Sequence, residues 1–128
     1  MIDHLSIIVG DLTRAERFYD AIMRALRHPK VARDESRIGY GERSSAAHPE
    51  RCYISIRPGL PKRSESRRHY AFRAPDRNSV IAFHRDGLAN GGADDGAPGP
   101  RDYHDHYFAA FLIDPDGNRL EAVCHRAE

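Results

Sequence analysis

The sequence contains two weakly similar halves, and this internal repeat constrains the fold more than any other feature. The segment that begins at His4 aligns without a gap with the segment that begins at His69. In each copy, histidine opens a short strand pattern, a Gly-Asp or Pro-Asp pair makes a turn, and a helical pattern follows. Self-similarity of this kind predicts that one structural unit occurs twice in the chain.

Apolar residues recur at helical spacing in each half, which predicts one amphipathic helix per half. In the first half, Thr13 and Glu16 match a capping box, and in the second half Asn78 or Ser79 is the predicted N-cap. The sequence NGG at positions 90–92 ends the second helix. The two apolar stripes are Ala15, Phe18, Ile22 and Leu26, and Val80, Phe83 and Leu88.

Strand-like segments follow each predicted helix, so each half has the order βαβββ. Between the halves lies RPGLPKRSESRR, a polar stretch with proline and glycine that is typical of a linker. We therefore predict a single α+β domain over residues 1–128, with module one at about 1–57, a linker at 58–68 and module two at about 69–128. The two modules would form a curved mixed sheet, a cup with the helices outside. The predicted strands after the helices are Val31–Arg33, Ile38–Gly41, Cys52–Arg57, Asp94–Gly96, Tyr107–Ile113 and Arg119–His125.

The composition is that of a globular domain without extreme charge. The chain has 128 residues, 40% of them hydrophobic and 30% charged, which fits one domain with a real core. The net charge of +1 gives no basic footprint for nucleic acid. No apolar run reaches membrane-spanning length and no signal peptide opens the chain, so we expect a cytoplasmic protein without a membrane partner. We interpret Cys52 and Cys124 as reduced core thiols.

The last strand carries a carboxylate where a buried side chain is expected. DPDGN at 114–118 is turn chemistry, and the strand that follows it has Glu121 near its middle. A buried charge is costly unless it is paired or binds a metal ion. Strand alternation turns His4, His69 and Glu121 away from the apolar, helix-facing sides of their strands. In a curved sheet built from both modules, these three side chains would converge in the cup.

Three segments resemble the glyoxalase / bleomycin resistance / extradiol dioxygenase group, the vicinal oxygen chelate superfamily: DHLSIIVGDLTRAERFY, HYAFRAPD and DPDGNRLEAV. The resemblance covers nearly the whole chain and implies paired βαβββ modules that form a cup around a divalent metal ion. Carried over residue by residue, it implies His4, His69 and Glu121 as metal ligands. Two imidazoles and one carboxylate suit non-haem iron and are compatible with other divalent ions, so Fe, Mn, Ni, Zn and Co are all candidates.

One departure from the family pattern bears on the reaction. Glyoxalase I-type members carry a second carboxylate ligand on the last strand of module one. The corresponding segment RCYISIRP offers Tyr53 and Ser55 but no glutamate, and Glu50 lies just before it. This disfavours the lactoylglutathione lyase reaction. A three-ligand site fits extradiol dioxygenases better, although those are usually longer chains, and bleomycin-binding members lack metal ligands altogether.

The segment GPRDYHDHYFAAF supplies the candidate catalytic residues His104, His106 and Tyr107, which precede the strand before Glu121. A histidine at this place could move protons near neutral pH. The alternative is that these residues only cover the edge of the sheet.

Tyr40, Tyr53 and Arg73 are the candidate substrate-binding residues. Arg73 follows His69 by four residues, so strand alternation places both on the same face. Its planar guanidinium suits a carboxylate or phosphate, which would make the substrate an anion. Alternatively, the strand ends near Arg73 and its side chain reaches water.

These observations favour a metal-dependent enzyme that acts on a small molecule with two neighbouring oxygens, as a lyase or isomerase or as a ring-cleaving dioxygenase. The alternatives are a small-molecule-binding or antibiotic-resistance protein without catalysis, and a protein whose cup has lost its site. Many small members of the superfamily dimerise, and exposed module edges give a physical reason to expect a homodimer.

Overall fold

The structure, a computed structural model, describes residues 2–61 and 68–127, so residues 62–67 of the predicted linker lie outside the described residues. Strand alternation and the helical stripes produce two βαβββ modules, as predicted. Module one contains β1 (His4–Val9), α1 (Leu12–Ala25), β2 (Lys30–Asp34), β3 (Arg37–Gly41) and β4 (Tyr53–Pro58). Module two contains β5 (Tyr70–Arg73), α2 (Arg77–Ala89), β6 (Ala93–Pro100), β7 (Phe108–Ile113) and β8 (Arg119–Cys124).

Each module forms a four-stranded mixed sheet, and the two sheets have the same topology. The strand order is β1-β4-β3-β2 in module one and β5-β8-β7-β6 in module two. In each sheet the first pair is parallel and the other two pairs are antiparallel. A parallel pair requires a long crossover connection, which the helix provides in each module. The α+β fold with two repeated modules is therefore confirmed.

One face of each sheet packs under a helix, and we call the opposite face the cup face. Ile7 and Val9 of β1 and Leu120 and Ala122 of β8 are fully buried on the helix side. The predicted strand phase is confirmed, because the residues that alternate with them belong to the cup face. The helices α1 and α2 also contact each other. In the described part of the chain, no helix is long and apolar enough to cross a membrane.

Both helices begin earlier than the sequence pattern predicted. Asp11 is the N-cap of α1, and its Oδ1 accepts a hydrogen bond from a first-turn backbone N–H at 2.8 Å. Asp76 is the N-cap of α2 and accepts one in the same way at 2.7 Å. The predicted caps Thr13, Asn78 and Ser79 lie inside the first turns, because an aspartate directly after the preceding turn already satisfies a free N–H group.

Two smaller expectations also need correction. The short strand predicted at Asp94–Gly96 is part of the longer edge strand β6, because register shifts around Gly96 let this Gly- and Pro-containing segment keep pairing with β7. Cys124 is a buried free thiol, as predicted, whereas Cys52 is a free thiol that is exposed. Cys52 precedes β4 and so lies outside the packed part of the sheet.

The turn at 114–118 joins the two modules through a buried carboxylate. Asp114 is 3% exposed, and its side chain accepts hydrogen bonds from the Tyr19 hydroxyl at 2.7 Å and from the backbone N–H groups of Asp116 and Asn118. The Asn118 side-chain amide donates to the backbone carbonyl of Ile8 at 3.1 Å. Because Tyr19 and Ile8 belong to module one, this turn ties the β7–β8 hairpin to α1 and β1.

Candidate metal centre

Glu121 lies near the middle of β8 on the cup face, and only 3% of its side chain is exposed. Its Oε2 is 3.0 Å from Nε2 of His69, and its Oε1 accepts a hydrogen bond from the Tyr107 hydroxyl at 2.7 Å. Both carboxylate oxygens therefore have partners, which offsets the cost of burying the charge. His69 immediately precedes β5, and the parallel pairing of Ala71 with Glu121 brings the two side chains together.

Tyr107, the residue before β7, donates a hydrogen bond to the second carboxylate oxygen of Glu121. Burial and the hydrogen bond to Glu121 raise the pKa of the Tyr107 phenol to about 12. The phenol is therefore neutral at neutral pH and remains a hydrogen-bond donor. A donor at this position fixes the orientation of the carboxylate toward His69.

His4 does not join this pair within one chain. It opens β1 in module one, where its Nδ1 lies 2.6 Å from Oδ1 of Asp3. Within residues 2–61 and 68–127, no three His, Cys, Asp or Glu side chains lie close enough to hold a metal ion together. The chain thus brings together two of the three predicted ligands, His69 and Glu121, and the metal assignment stays a prediction.

Of the predicted catalytic residues, Tyr107 donates a hydrogen bond to Glu121, and His104 lies beside Tyr107. The His104 ring meets the Tyr107 ring nearly edge-on, with 5.5 Å between centroids, and Nε2 of His104 lies 2.9 Å from Nδ1 of His125. His106 is exposed, and its backbone N–H donates to Nδ1 of His104 at 3.3 Å. Sequence reasoning gave His125 no role, although alternation along β8 places it on the same side as Glu121.

The three predicted substrate-binding residues do not lie together. Tyr53 is on the cup face beside His4, its partner in the β1–β4 register. Arg73 is exposed at the end of β5, and alternation places it on the cup face. Tyr40 lies in the core, where its hydroxyl donates to Asp20 at 2.8 Å and burial raises its pKa far above the ordinary value. The structure therefore does not bring Tyr40 to the cup.

Three polar residues around Tyr53 are not among the site residues predicted from the sequence. Ser55 and Arg57 share the cup face with Tyr53 because they alternate along β4, and Arg43 lies over the Tyr53 ring with its guanidinium carbon 4.5 Å from the ring centroid. Together with His4 they line a cavity of about 260 Å³ in module one. Strand alternation could have identified Ser55 and Arg57, whereas Arg43 lies in a loop that carries no sequence signal.

Comparison with known proteins agrees with this architecture. A family model described as the Glyoxalase/Bleomycin resistance protein/Dioxygenase superfamily matches residues 1–122. No curated protein matches the chain. Among solved structures, a glyoxalase/bleomycin resistance protein from Albidiferax ferrireducens T118 is 31% identical, with a TM-score of 0.80 over 98% of this chain and 99% of that chain.

More distant structures share the fold. The fosfomycin resistance protein FosX from Listeria monocytogenes, as a mutant complexed with Mn(II) and 1S,2S-dihydroxypropylphosphonic acid, is 19% identical, with a TM-score of 0.66 over 96% of this chain and 88% of that chain. A glyoxalase/bleomycin resistance protein/dioxygenase family enzyme from Burkholderia phytofirmans PsJN is 15% identical, with a TM-score of 0.69 over 97% and 98% of the two chains. At these identities the likeness concerns the fold alone. With two repeated βαβββ modules and a family match over residues 1–122, the chain belongs to the glyoxalase/bleomycin resistance protein/dioxygenase superfamily.

Proposed function

We propose that the protein is a metal-dependent enzyme that acts on a small oxygenated substrate. The observation that carries this proposal is the buried carboxylate of Glu121, which lies 3.0 Å from His69 on the cup face. An imidazole nitrogen and a carboxylate oxygen fit a divalent ion such as Fe, Mn, Ni, Zn or Co. Tyr107, on the other oxygen of Glu121, resembles the outer partners that orient ligating carboxylates in metal sites.

The side chains around His69 and Glu121 would have separate roles in the reaction. A divalent ion bound there would polarise two neighbouring substrate oxygens as a Lewis acid, which suits lyase, isomerase or ring-cleaving dioxygenase chemistry. His104, paired with His125, would hold or transfer a proton beside the Tyr107 ring. His106 would exchange that proton with water, since it is exposed next to His104.

Tyr53 and Arg73 are the substrate-binding residues in this proposal. Both belong to the cup face, Tyr53 in module one and Arg73 in module two. Arg73 would bind an anionic part of the substrate. The cytoplasmic location expected from the sequence stays a prediction.

We further propose that His4 reaches the site from a second copy of the chain. The strands β1 and β5 are edge strands of the two sheets, and His4 and His69 lie at their beginnings. Exposed sheet edges favour pairing with another chain. In a two-fold symmetric homodimer, each of two equivalent cups would receive His4 from one copy and His69 with Glu121 from the other.

Mixed dimers test this arrangement. His4→Ala and His69→Ala should each lose most Mn²⁺ binding as homodimers, because every cup then lacks one histidine. Co-expression of the two variants should give mixed dimers with one intact cup, so their metal content should be about half that of the wild-type dimer. A mixed dimer without metal, or a monomer in light scattering at high concentration, would contradict the shared site.

A second candidate is a small-molecule-binding or resistance protein without catalysis. The polar cavity of module one favours this reading, because its volume of about 260 Å³ can hold a small group without any metal. Metal analysis of the purified protein, followed by assays with a catechol and a hemithioacetal, separates the two functions. Turnover that a chelator stops and added metal restores would support the enzyme. Ligand binding with no metal-dependent turnover would support the binding protein.

A further inference from the structure

Two buried hydroxyl groups on the cup face of module one have no hydrogen-bond partner among the described residues. They belong to Tyr53 and Ser55, which are 4% and 2% exposed. Buried polar groups in native proteins are almost always paired, so these two hydroxyls require an explanation. Both residues line the cavity beside His4, and this cavity is where a partner for the hydroxyls can lie.

Two arginines line the same cavity. Arg57 follows Ser55 by two residues on β4, and the Arg43 guanidinium carbon lies 4.5 Å from the centre of the Tyr53 ring. Neither arginine lies within ion-pair distance of a carboxylate in residues 2–61 and 68–127. The Arg43 charge contributes to the lowered pKa of Asp3 without direct contact, so both guanidinium groups keep their hydrogen-bond donors for a ligand.

The acidic residue that lines the cavity, Asp3, is already engaged. Its Oδ1 lies 2.6 Å from Nδ1 of His4, and its Oδ2 accepts a hydrogen bond from the Ser44 hydroxyl. These hydrogen bonds hold the pKa of the Asp3 carboxyl below its ordinary value. With one carboxylate against two guanidinium groups, the cavity carries an excess of positive charge.

A glycine on the neighbouring strand makes the position of the phenol possible. A Cβ atom at Gly39 would lie 2.0 Å from the Tyr53 hydroxyl oxygen, so the Tyr53 ring lies directly over the backbone of β3. Any side chain at position 39 would displace the phenol. The unpaired hydroxyl of Tyr53 is thus held in place by the sheet itself.

We propose that this cavity is an oxyanion site, which binds a carboxylate, phosphate or phosphonate group through Arg43, Arg57, Ser55 and Tyr53. Guanidinium and hydroxyl groups are strong donors to such anions. A volume of about 260 Å³ suits one charged group of a molecule rather than a whole large ligand. The inference rests on the proposed function in that the anion is part of the substrate, and it adds a second binding position for an anionic group, in module one.

Titration of metal-free protein with inorganic phosphate, and separately with acetate, tests this site. We expect saturable NMR shifts of the Ser55 amide and the Arg57 side chain. Arg57→Gln and Ser55→Ala should each weaken binding about five- to tenfold, because each removes a donor to a charged group. Arg24→Gln, at an exposed arginine of α1, is the matched control and should leave Kd unchanged. Ser55→Ala should also keep the thermal stability, since it removes a hydroxyl that has no partner.

The outcomes distinguish a phosphate-like anion from a carboxylate. They also distinguish failure of the oxyanion site from failure of the proposed metalloenzyme. Tighter binding of phosphate indicates a phosphate or phosphonate group, and tighter binding of acetate indicates a carboxylate. The oxyanion site is overturned if neither anion binds, if Arg24→Gln weakens binding as much as Arg57→Gln, or if Ser55→Ala lowers stability without changing Kd. Phosphate binding by a protein that takes up no metal would refute the metalloenzyme and keep the oxyanion site. Metal-dependent turnover without anion binding would refute the oxyanion site and keep the metalloenzyme.

Discussion

Glu121→Gln is expected to abolish stoichiometric binding of a divalent metal ion. Glutamine keeps the shape of the side chain and can still accept the Tyr107 hydrogen bond, but it has no negative charge for the metal. The loss of Mn²⁺ affinity should exceed the roughly 10- to 100-fold loss that follows when only an outer partner of a ligand is removed. The metal content of purified and dialysed protein, measured by mass spectrometry, gives the result directly.

Two further variants serve as references for the loss of Mn²⁺ binding in Glu121→Gln. Tyr107→Phe should reduce Mn²⁺ affinity by about 10- to 100-fold, because it removes a partner that orients Glu121 and leaves both ligands in place. With the Tyr107 pKa at about 12, the phenol stays protonated at neutral and mildly alkaline pH, so this loss should be constant there. Glu50→Gln, at an exposed carboxylate, should bind metal like the wild type. Full metal occupancy in Glu121→Gln would refute the metal centre.

The fold could be predicted because its signals are local and occur twice. The alternation Leu5, Ile7, Val9 and the stripe through Phe18 and Ile22 each reflect the period of one element, and the same pattern returns in module two. Helix starts were misplaced because several capping residues stand close together, and the structure uses the aspartate nearest the preceding turn. Local patterns identify the elements better than their ends.

Only the part of the site that depends on the alternation of side chains along a single strand could be predicted. Alternation along β8 follows from the sequence pattern, whereas the parallel pairing of β8 with β5, which brings Glu121 to His69, is seen only in the structure. The repeat makes His4 equivalent to His69, but it does not determine how the modules pack or whether a second chain contributes. Tyr40 is a candidate from the sequence, but in β3 it lies in the core.

The cavity of module one was missed for a different reason. Arg57 and Ser55 look like ordinary strand residues in a chain with 20 basic residues, so no charge pattern singles them out. Their importance appears only when burial shows which hydroxyls lack a partner. Strand alternation places Ser55 and Arg57 on the cup face, but only the structure shows that the Ser55 hydroxyl has no hydrogen-bond partner.

Asp114→Ala is expected to lower the free energy of unfolding by about 3 kcal/mol, because several buried donors lose their acceptor at once. The Tyr19 hydroxyl, the Asn118 amide and two turn N–H groups all donate to this carboxylate. For a chain of this length, the change corresponds to a fall of roughly 10 °C in Tm. Urea unfolding followed by circular dichroism measures it. A loss below about 0.5 kcal/mol would be typical of an ordinary surface position and would contradict the structural role of the turn.

Tyr19→Phe separates the link between the modules from the turn itself. It removes one donor and leaves the hydrogen bonds of the turn to Asp114, so it should cost about 1 kcal/mol. In the Asp114→Ala background the same change should cost less, because the acceptor is already gone. Asp105→Ala, at an exposed carboxylate before β7, is the control and should be nearly neutral. Strictly additive costs would show that the hydrogen bond between Tyr19 and Asp114 does not stabilise the module interface, which would then depend on the packing of α1 against α2.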